Sequence, residues 1–354
     1  MNVKFLTKIE ELLGPFSAKL RKHPNLTFVV FGLLLCLVAL LPHLGLMNFG
    51  TMSIIAYITI YAVTALGLNI LLGFSGLISL GTAGFVGAGA LGTAVFIEMG
   101  LPFELAVVLV LTISGSIGAL IGLFSLKVEG IYLAIATLFV GEILRQIYTQ
   151  VPIFGGNSIQ IDGGIKLLGF IELSQIFKEQ RSMLFVLLVI IMVLMMIAMN
   201  NIIKSKTGRA LLAMSRSEHA AQAMGISLLK YRLTAFVLAT LFATVGGIMY
   251  AMYFQTIPTT SWSLDLSLFI IAMVVVGGFK SIYGTFLGAF IIHGIPNLIL
   301  KDLLGDISYI FSGVLIILVI IFYPNGFVYI WVDIKKGYSK LKKRLQKDVT
   351  TDGK

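Results

Sequence analysis

The chain has 354 residues, of which 58% are hydrophobic and 12% charged, with a mean hydropathy of +1.00. A soluble domain carries roughly 25% charged residues, so this composition excludes a water-soluble enzyme and describes an integral membrane protein. The net charge of +10 sits at membrane edges and in the tails rather than on a folded soluble face, which excludes nucleic acid as a partner. The single cysteine, Cys36, excludes a disulfide framework and a Cys-based metal site.

Runs of about 20 apolar residues, the length that crosses a hydrocarbon core as a helix, recur along the chain. The alternation of a transmembrane barrel is missing. The predicted fold is all-α, a polytopic transmembrane helical bundle of about ten spans, because helices satisfy their backbone groups internally in lipid. A basic tail over residues 1–25 carries Lys4, Lys8, Lys19, Arg21 and Lys22. No small-residue cleavage site follows the next apolar run, which is read as a retained helix rather than a signal peptide.

The transmembrane domain covers 26–331, with spans at roughly 26–46, 51–72, 77–97, 103–125, 130–149, 183–203, 231–254, 266–279, 284–300 and 307–323. A second basic tail occupies 332–354. With both termini cytoplasmic, 21 of the 26 basic residues fall inside, as the positive-inside rule requires. Lys166, Lys178, Arg181 and Lys301 then lie outside and Arg145 lies within a span, while Glu98, Glu104, Asp162, Glu172, Glu179, Asp265, Asp302 and Asp306 fall outside. Two longer connections remain: an external one at 150–181, read as a loop with a short helix, and a cytoplasmic one at 204–230.

The glycine-rich stretch that follows the second span contains Gly73, Ser75, Gly76, Ser79, Gly81, Thr82 and Gly84, with Asn69 near the end of that span. Small residues let helix backbones approach closely in lipid. Alternatively, a broken helix lined by glycines and hydroxyls borders a solute pathway at membrane depth. The segments LLGFSGLISLGTAGF (71–85) and VGGFKSIYGTFLGAF (276–290) share a Gly-Phe pair and a later Phe, which fits either internal duplication or chance similarity between glycine-rich segments.

Glu142 and Arg145 stand at i and i+3, close enough to pair on one helix face. Charges within a span point to function by default, and a structural pair at the mouth is the competing reading. His293 and Asn297 flank Pro296, a pattern read as a proline kink with a satisfied core histidine. Asp265 opens the eighth span, where the helix dipole favours an acid.

Catalytic chemistry has no carrier. The histidines, His23, His43, His219 and His293, have no metal-ligand spacing or nucleophile partner. A Walker A pattern is missing, so an ATP-driven process requires the nucleotide to bind another chain, and no cofactor is assigned to this one. The connection GRALLAMSRSEHAAQAMGISLLKYR (208–232) predicts a short helix over 218–224, with Ser217 as N-cap, Glu218 in the first turn and Gly225 just past the end. Arg209, Arg216, Lys230 and Arg232 flank it. It fits a basic segment lying on anionic lipid or a helix docking into a groove of a soluble partner.

Five blocks in order now resemble one family: GLNILLGFSGLISLGTAGF (67–85), GIYLAIATLFVGEILR (130–145), GRALLAMSRSEHAAQAMGISLLKYRLTAF (208–236), VVVGGFKSIYGTFLGA (274–289) and GVLIILVIIFYPNGF (313–327). The chain is similar, over about residues 52–330, to the LivM-like permeases of ABC importers for branched-chain amino acids. The resemblance implies a multi-pass subunit in a bacterial cytoplasmic membrane. Its implied partners are a second, LivH-like permease in a heterodimer, two cytoplasmic ATPases that bind ATP and Mg, and an extracytoplasmic solute-binding protein.

In such importers a cytoplasmic Glu-Ala-Ala, three residues, Gly segment forms the helix that couples to the ATPase. Ala220, Ala221 and Gly225 match that spacing, with His219 inserted after Glu218 and Arg209 upstream. The external stretch GGNSI (155–159) resembles a glycine-rich loop of the family but lacks its threonine. Related permeases carry urea, short amides or nucleosides, and a self-sufficient secondary transporter is the rival class.

Overall fold

The computed structural model describes residues 24–125, 128, 130–154, 156–161, 166–167, 171–172 and 181–301, with 305, 313–314, 317–318, 321 and 326–328 beyond them. Both basic tails (Pro24 and Asn25 apart), most of the predicted tenth span and much of the external connection lie outside the described residues.

Helix α1 (Pro24–Cys36) runs into a 3₁₀ turn at Leu37–Leu40 and stops short of the predicted span end. Helix α2 (Phe49–Asn69) continues as a π-helical turn at Ile70–Ser75, and α3 (Thr82–Glu98) follows after an extended break. Then come α4 (Phe103–Phe124) and α5 (Ile131–Gln150). Helix α6 (Arg181–Lys204) leads to two short helices, α7 (Lys206–Arg216) and α8 (Glu218–Ala223), and α9 (Leu228–Phe254) follows. The described part closes with α10 (Leu264–Gly277) and α11 (Ile282–Ala289), the latter extended to Leu300 by π-helical turns.

The molecule is a helical membrane bundle. Among the described residues, six helical stretches are long and apolar enough to cross a membrane, matching the second, fourth, fifth, sixth, seventh and ninth predicted spans. The first, third and eighth predicted spans are shorter apolar helices. The third begins at Thr82 rather than at residue 77, because Leu77–Gly81 is non-helical.

Helices α2 and α9 form the centre, each 78% buried over its apolar window, whereas α4 and α5 are only 28% buried. Their outer faces present Val108, Phe124, Ile135 and Phe139 to the surroundings, as suits lipid or a partner span. Helix α9 packs along α2, α3 and α4. At its crossing with α3, a Cβ on Gly247 would lie 2.0 Å from the Val86 carbonyl oxygen, and one on Gly89 would lie 2.1 Å from that of Thr244. The two backbones touch, which is how spans associate where hydrocarbon supplies no hydrophobic drive. Helix α1 packs on α6, and Asn200 donates to Asn25 Oδ1 at 2.6 Å.

The external connection holds strands the sequence does not announce. Strand β1 (Ser158–Gln160) pairs antiparallel with β4 (Thr256–Pro258), with Ile159 opposite Ile257, and both isoleucines are buried. This pairing pins residues 156–159 of the GGNSI stretch to the end of α9, where Thr259 Oγ1 donates to the Gly156 carbonyl at 2.6 Å; Gly155 lies outside the described residues. Strands β2 (Lys166–Leu167) and β3 (Ile171–Glu172) form a second small antiparallel pair.

Candidate functional site

Three places bring the predicted residues together. The first is the connection between α6 and α9. Ser205 caps α7 by accepting from the Thr207 amide at 3.1 Å, and Ser217 caps α8 by accepting from the Ala220 amide at 3.3 Å. At the other end of α8 the Ile226 amide donates to the Ala221 carbonyl and the Gly225 amide to that of Gln222, both at 3.0 Å. These paired bonds with Gly225 at φ +81° make a Schellman motif, which favours glycine because that backbone region is strained for residues with a Cβ. The expected cap and stop of the 218–224 helix are both present.

The five coupling positions divide: Arg209, Ala220 and Gly225 are exposed, Glu218 is half-buried and Ala221 is buried. Their neighbours Gln222, Ala223 and Met224 are exposed too, Met224 to 83%. Helix α8 thus presents a small-residue face with one flexible methionine outward and anchors itself through Ala221. Arg209 turns back to the Lys204 carbonyl at 3.3 Å.

The decisive anchor is a residue that sequence reasoning counted only as a flanking charge. Arg232, 3% exposed at the start of α9, donates to the Ser125 carbonyl at the end of α4 at 2.6 Å and pairs with the Glu218 carboxylate. One guanidinium therefore holds α8, α4 and α9 together. The signal was available: Arg232 stands one turn inside an apolar helix, where a cation needs a partner.

The second place is the break between α2 and α3. Asn69 is fully buried. Its Oδ1 accepts from the Lys280 amide at 3.0 Å and its Nδ2 donates to the Ser281 carbonyl at 3.2 Å. Lys280 sits at φ +64° in the break between α10 and α11. The two segments compared in the sequence are therefore both span breaks, and they meet at Asn69. A Cβ on Gly73 would crowd Asn69 Oδ1 and the Lys280 amide.

Ser75 Oγ donates to the Leu71 carbonyl at 2.6 Å. Gly76, at φ +74°, ends the π turn against Ser215 of α7. The α7–α8 pair is thus in contact with the break itself. Farther on, Ser79 and Thr82 face Thr137 and Thr240 around a gap of about 10 Å³, which holds about one water at most.

The third place is the seam of α3, α5 and α10. A Cβ on Gly81 would lie 2.4 Å from the Thr137 carbonyl oxygen, and one on Gly84 would lie 3.0 Å from Gly141 Cα. The backbone is stitched across this seam. The Leu80 amide donates to Thr137 Oγ1 at 3.0 Å, the Ala83 amide to Ser267 Oγ at 3.0 Å, and Tyr148 Oη to the Gly84 carbonyl at 2.8 Å. Close approach is thus visible at Gly81 and Gly84.

Beside the seam lies a cavity of about 170 Å³ whose lining includes Gly84, Gly141, Glu142, Trp262, Ser263 and Ser267. Glu142 pairs with Arg145, whose Nε donates to Oε2 at 2.8 Å, and accepts from Gln146 at 3.0 Å. Gly84 and Glu142 therefore meet in one cavity. Asn69, Gly73 and Ser75 belong to the break, and the coupling residues lie in the α6–α9 connection.

His293 and Asn297 border a separate cavity of about 210 Å³ with Tyr61 and Pro296. Asn297 donates to the His293 carbonyl at 2.8 Å across the π-helical turns there. Asp265 lies in the first turn of α10 and is exposed. No cluster of three or more His, Cys, Asp or Glu able to hold a metal occurs among the described residues.

Residues 50–320 match the family described as "branched-chain amino acid transport system / permease component". The chain is 28% identical over 297 residues to the high-affinity branched-chain amino acid transport system permease protein LivM of Salmonella typhimurium, and equally to that of Escherichia coli. Each match covers 78% of this chain and 69% of the relative. A probable branched-chain amino acid transport permease protein LivM of Methanocaldococcus jannaschii is 25% identical over 242 residues, covering 63% of this chain and 67% of that protein. No solved structure matches significantly. The chain belongs to the branched-chain amino acid transport system permease family, and it is a multi-pass membrane transport component of the LivM-like kind.

Proposed function

We propose that this member of the family is one half of the membrane core of an ABC importer that moves branched-chain, or other neutral aliphatic, amino acids across a bacterial cytoplasmic membrane. Two separate ATPases hydrolyse ATP with Mg to drive it, a LivH-like permease completes the core, and an extracytoplasmic binding protein delivers the solute. The observation that carries this reading is the α7–α8 pair. It has an outward small-residue face, a fixed stop at Gly225, and inward connections at Arg232 and Gly76.

A push from an ATPase on Ala220, Ala223 and Met224 has two routes into the membrane. One runs through Glu218 and Arg232 to α4 and α9. The other runs through α7 to the break at Gly76 and, by way of Asn69, to the second break at Lys280. Packed elements with discrete contacts pass on such displacements because they do not deform continuously. The partly exposed Glu142–Arg145 pair on α5 (39% and 27%) also supports a partnered face, since charges at membrane depth face protein or a water-filled cavity.

Co-expression with candidate ATPases and the second permease tests the reading. Copurification of an ATPase that is lost when Ala220 and Ala223 are both replaced by arginine supports docking at α8. Retention of the ATPase by that variant contradicts it.

A further inference from the structure

The connection over residues 204–230 carries its charges in an ordered way. It holds one acid, Glu218, whose carboxylate is taken inward by Arg232. Its cations, Lys204, Lys206, Arg209, Arg216 and Lys230, are all exposed, and none is paired with a carboxylate among the described residues. The exposed surface of this connection is therefore positive with no acid of its own to balance it.

On α7 the cations are sorted. At 3.6 residues per turn, Lys206, Arg209 and Arg216 fall within an arc of about 80°. The buried Gly208, Ala210, Leu211 and Met214 occupy the opposite side, where α7 packs against α6, α9 and the π turn that follows α2. The positive-inside rule places cations on one side of a membrane, but it does not sort them around a helix. A basic helix lying on lipid sinks its apolar face among the acyl chains, and α7 already uses that face on the bundle.

Helix α8 packs against α7 and is tied to the first turns of α9 through Glu218 and Arg232. Cations thus flank its exposed, uncharged patch of Ala220, Ala223 and Met224, with α7 on one side and Lys230 on the other. An uncharged centre inside a polar, solvent-accessible rim is the anatomy of a protein–protein interface.

We infer that this surface fits an ATPase whose groove for α8 has an acidic margin, with carboxylates of that margin facing Lys206, Arg209 and Arg216 on α7 and Lys230 on α9. The guanidinium forks of Arg209 and Arg216 match carboxylates in shape as well as charge. The inference rests on the docking of α8 proposed above and adds the chemistry of the partner. Rim charges steer the encounter, so they set the association rate and its salt dependence more than dissociation. The rim and the centre of the surface therefore have different kinetic signatures.

The test uses the chain with its second permease in nanodiscs of zwitterionic lipid, where no anionic headgroup competes. Interferometry reads association and dissociation of the purified ATPase subunits. Raising salt from about 0.1 M to about 1 M shortens the Debye length from about 10 Å to about 3 Å, and wild-type association should slow about tenfold or more over that range. The triple variant Lys206→Gln, Arg209→Gln, Arg216→Gln should associate about tenfold more slowly at the lower salt, lose most of the salt dependence, and change dissociation by less than about threefold. Arg216→Gln alone changes a single exposed side chain; it should move the association rate the same way by a smaller factor, and it decides should the triple variant fail to assemble.

An association rate and salt dependence equal to the wild type's in these variants overturn the inference, since the basic face then meets lipid or solvent. So does a triple variant whose one change is faster dissociation. If replacing Ala220 and Ala223 with arginine leaves ATPase binding intact, the docking reading fails and this inference falls with it. Loss of binding in that pair beside an unaltered triple variant overturns the acidic margin alone.

Discussion

Replacing Arg232 with methionine keeps the length and apolar stem of the side chain but deletes the guanidinium that joins α8, α4 and α9. The bond to the Ser125 carbonyl is fully buried on both sides, and a charged donor in such a bond is worth about 1.5–3 kcal/mol. The Glu218 half is 29% exposed, so it is counted as a surface pair of about 0.2–1 kcal/mol. Only the Glu218 half reaches α8, while the Ser125 half ties α9 to α4; at about 1.4 kcal/mol per tenfold, losing about 0.2–1 kcal/mol should make local opening of α8 up to about fivefold more frequent.

Hydrogen exchange on the chain in nanodiscs reads this directly. The amides of Met224, Gly225 and Ile226, which bond to the Ala220, Gln222 and Ala221 carbonyls, should exchange faster by that factor. Glu218→Gln should accelerate them by a similar factor of up to about five, since it weakens the same link. Unchanged exchange in Arg232→Met would refute the clasp. Faster exchange with normal ATPase coupling would refute its role in transmission.

The other predictions are local. Gly225→Ala meets no atom within 4 Å but imposes φ +81° on a residue with a Cβ, costing about 1–2 kcal/mol; it should weaken ATPase copurification, and Gly225→Asn should weaken it less. Gly247→Ala forces a Cβ to within 2.0 Å of the Val86 carbonyl and should lower thermal stability by about 1–3 kcal/mol as overpacking, whereas Gly50→Ala, with open space around it, should leave the melting temperature unchanged. Asn69→Ala unpairs the Lys280 amide and the Ser281 carbonyl, at about 1–3 kcal/mol for each group left buried, and should reduce uptake more than expression; wild-type uptake would show that the two breaks move independently.

Much of the bundle was legible because length and hydropathy are enough to mark a span: the six qualifying helices coincide with predicted ones to within a few residues. The break before α3 was harder to place. Leu77, Ile78 and Leu80 are apolar, yet tertiary bonds such as Leu80 to Thr137 hold the stretch out of helix. Strand β1 was invisible because three residues carry no period, and its partner lies about 100 positions away. In the α6–α9 connection, cap chemistry is local, so Ser217 and Gly225 could be read directly. The clasp was not legible, since nothing local says that Arg232 reaches Ser125. The same holds for the seam cavity, where Gly84, Glu142 and Ser263 come from three helices and only the folded chain brings them together.

Uptake in proteoliposomes tests the central claim most directly: the chain with its second permease and ATPases, the binding protein and labelled leucine outside, ATP and Mg trapped on the ATPase side, and a protonophore present. The account predicts leucine accumulation that requires hydrolysable ATP and survives loss of the proton gradient. Accumulation by this chain alone, without ATPase and abolished by the protonophore, would contradict it.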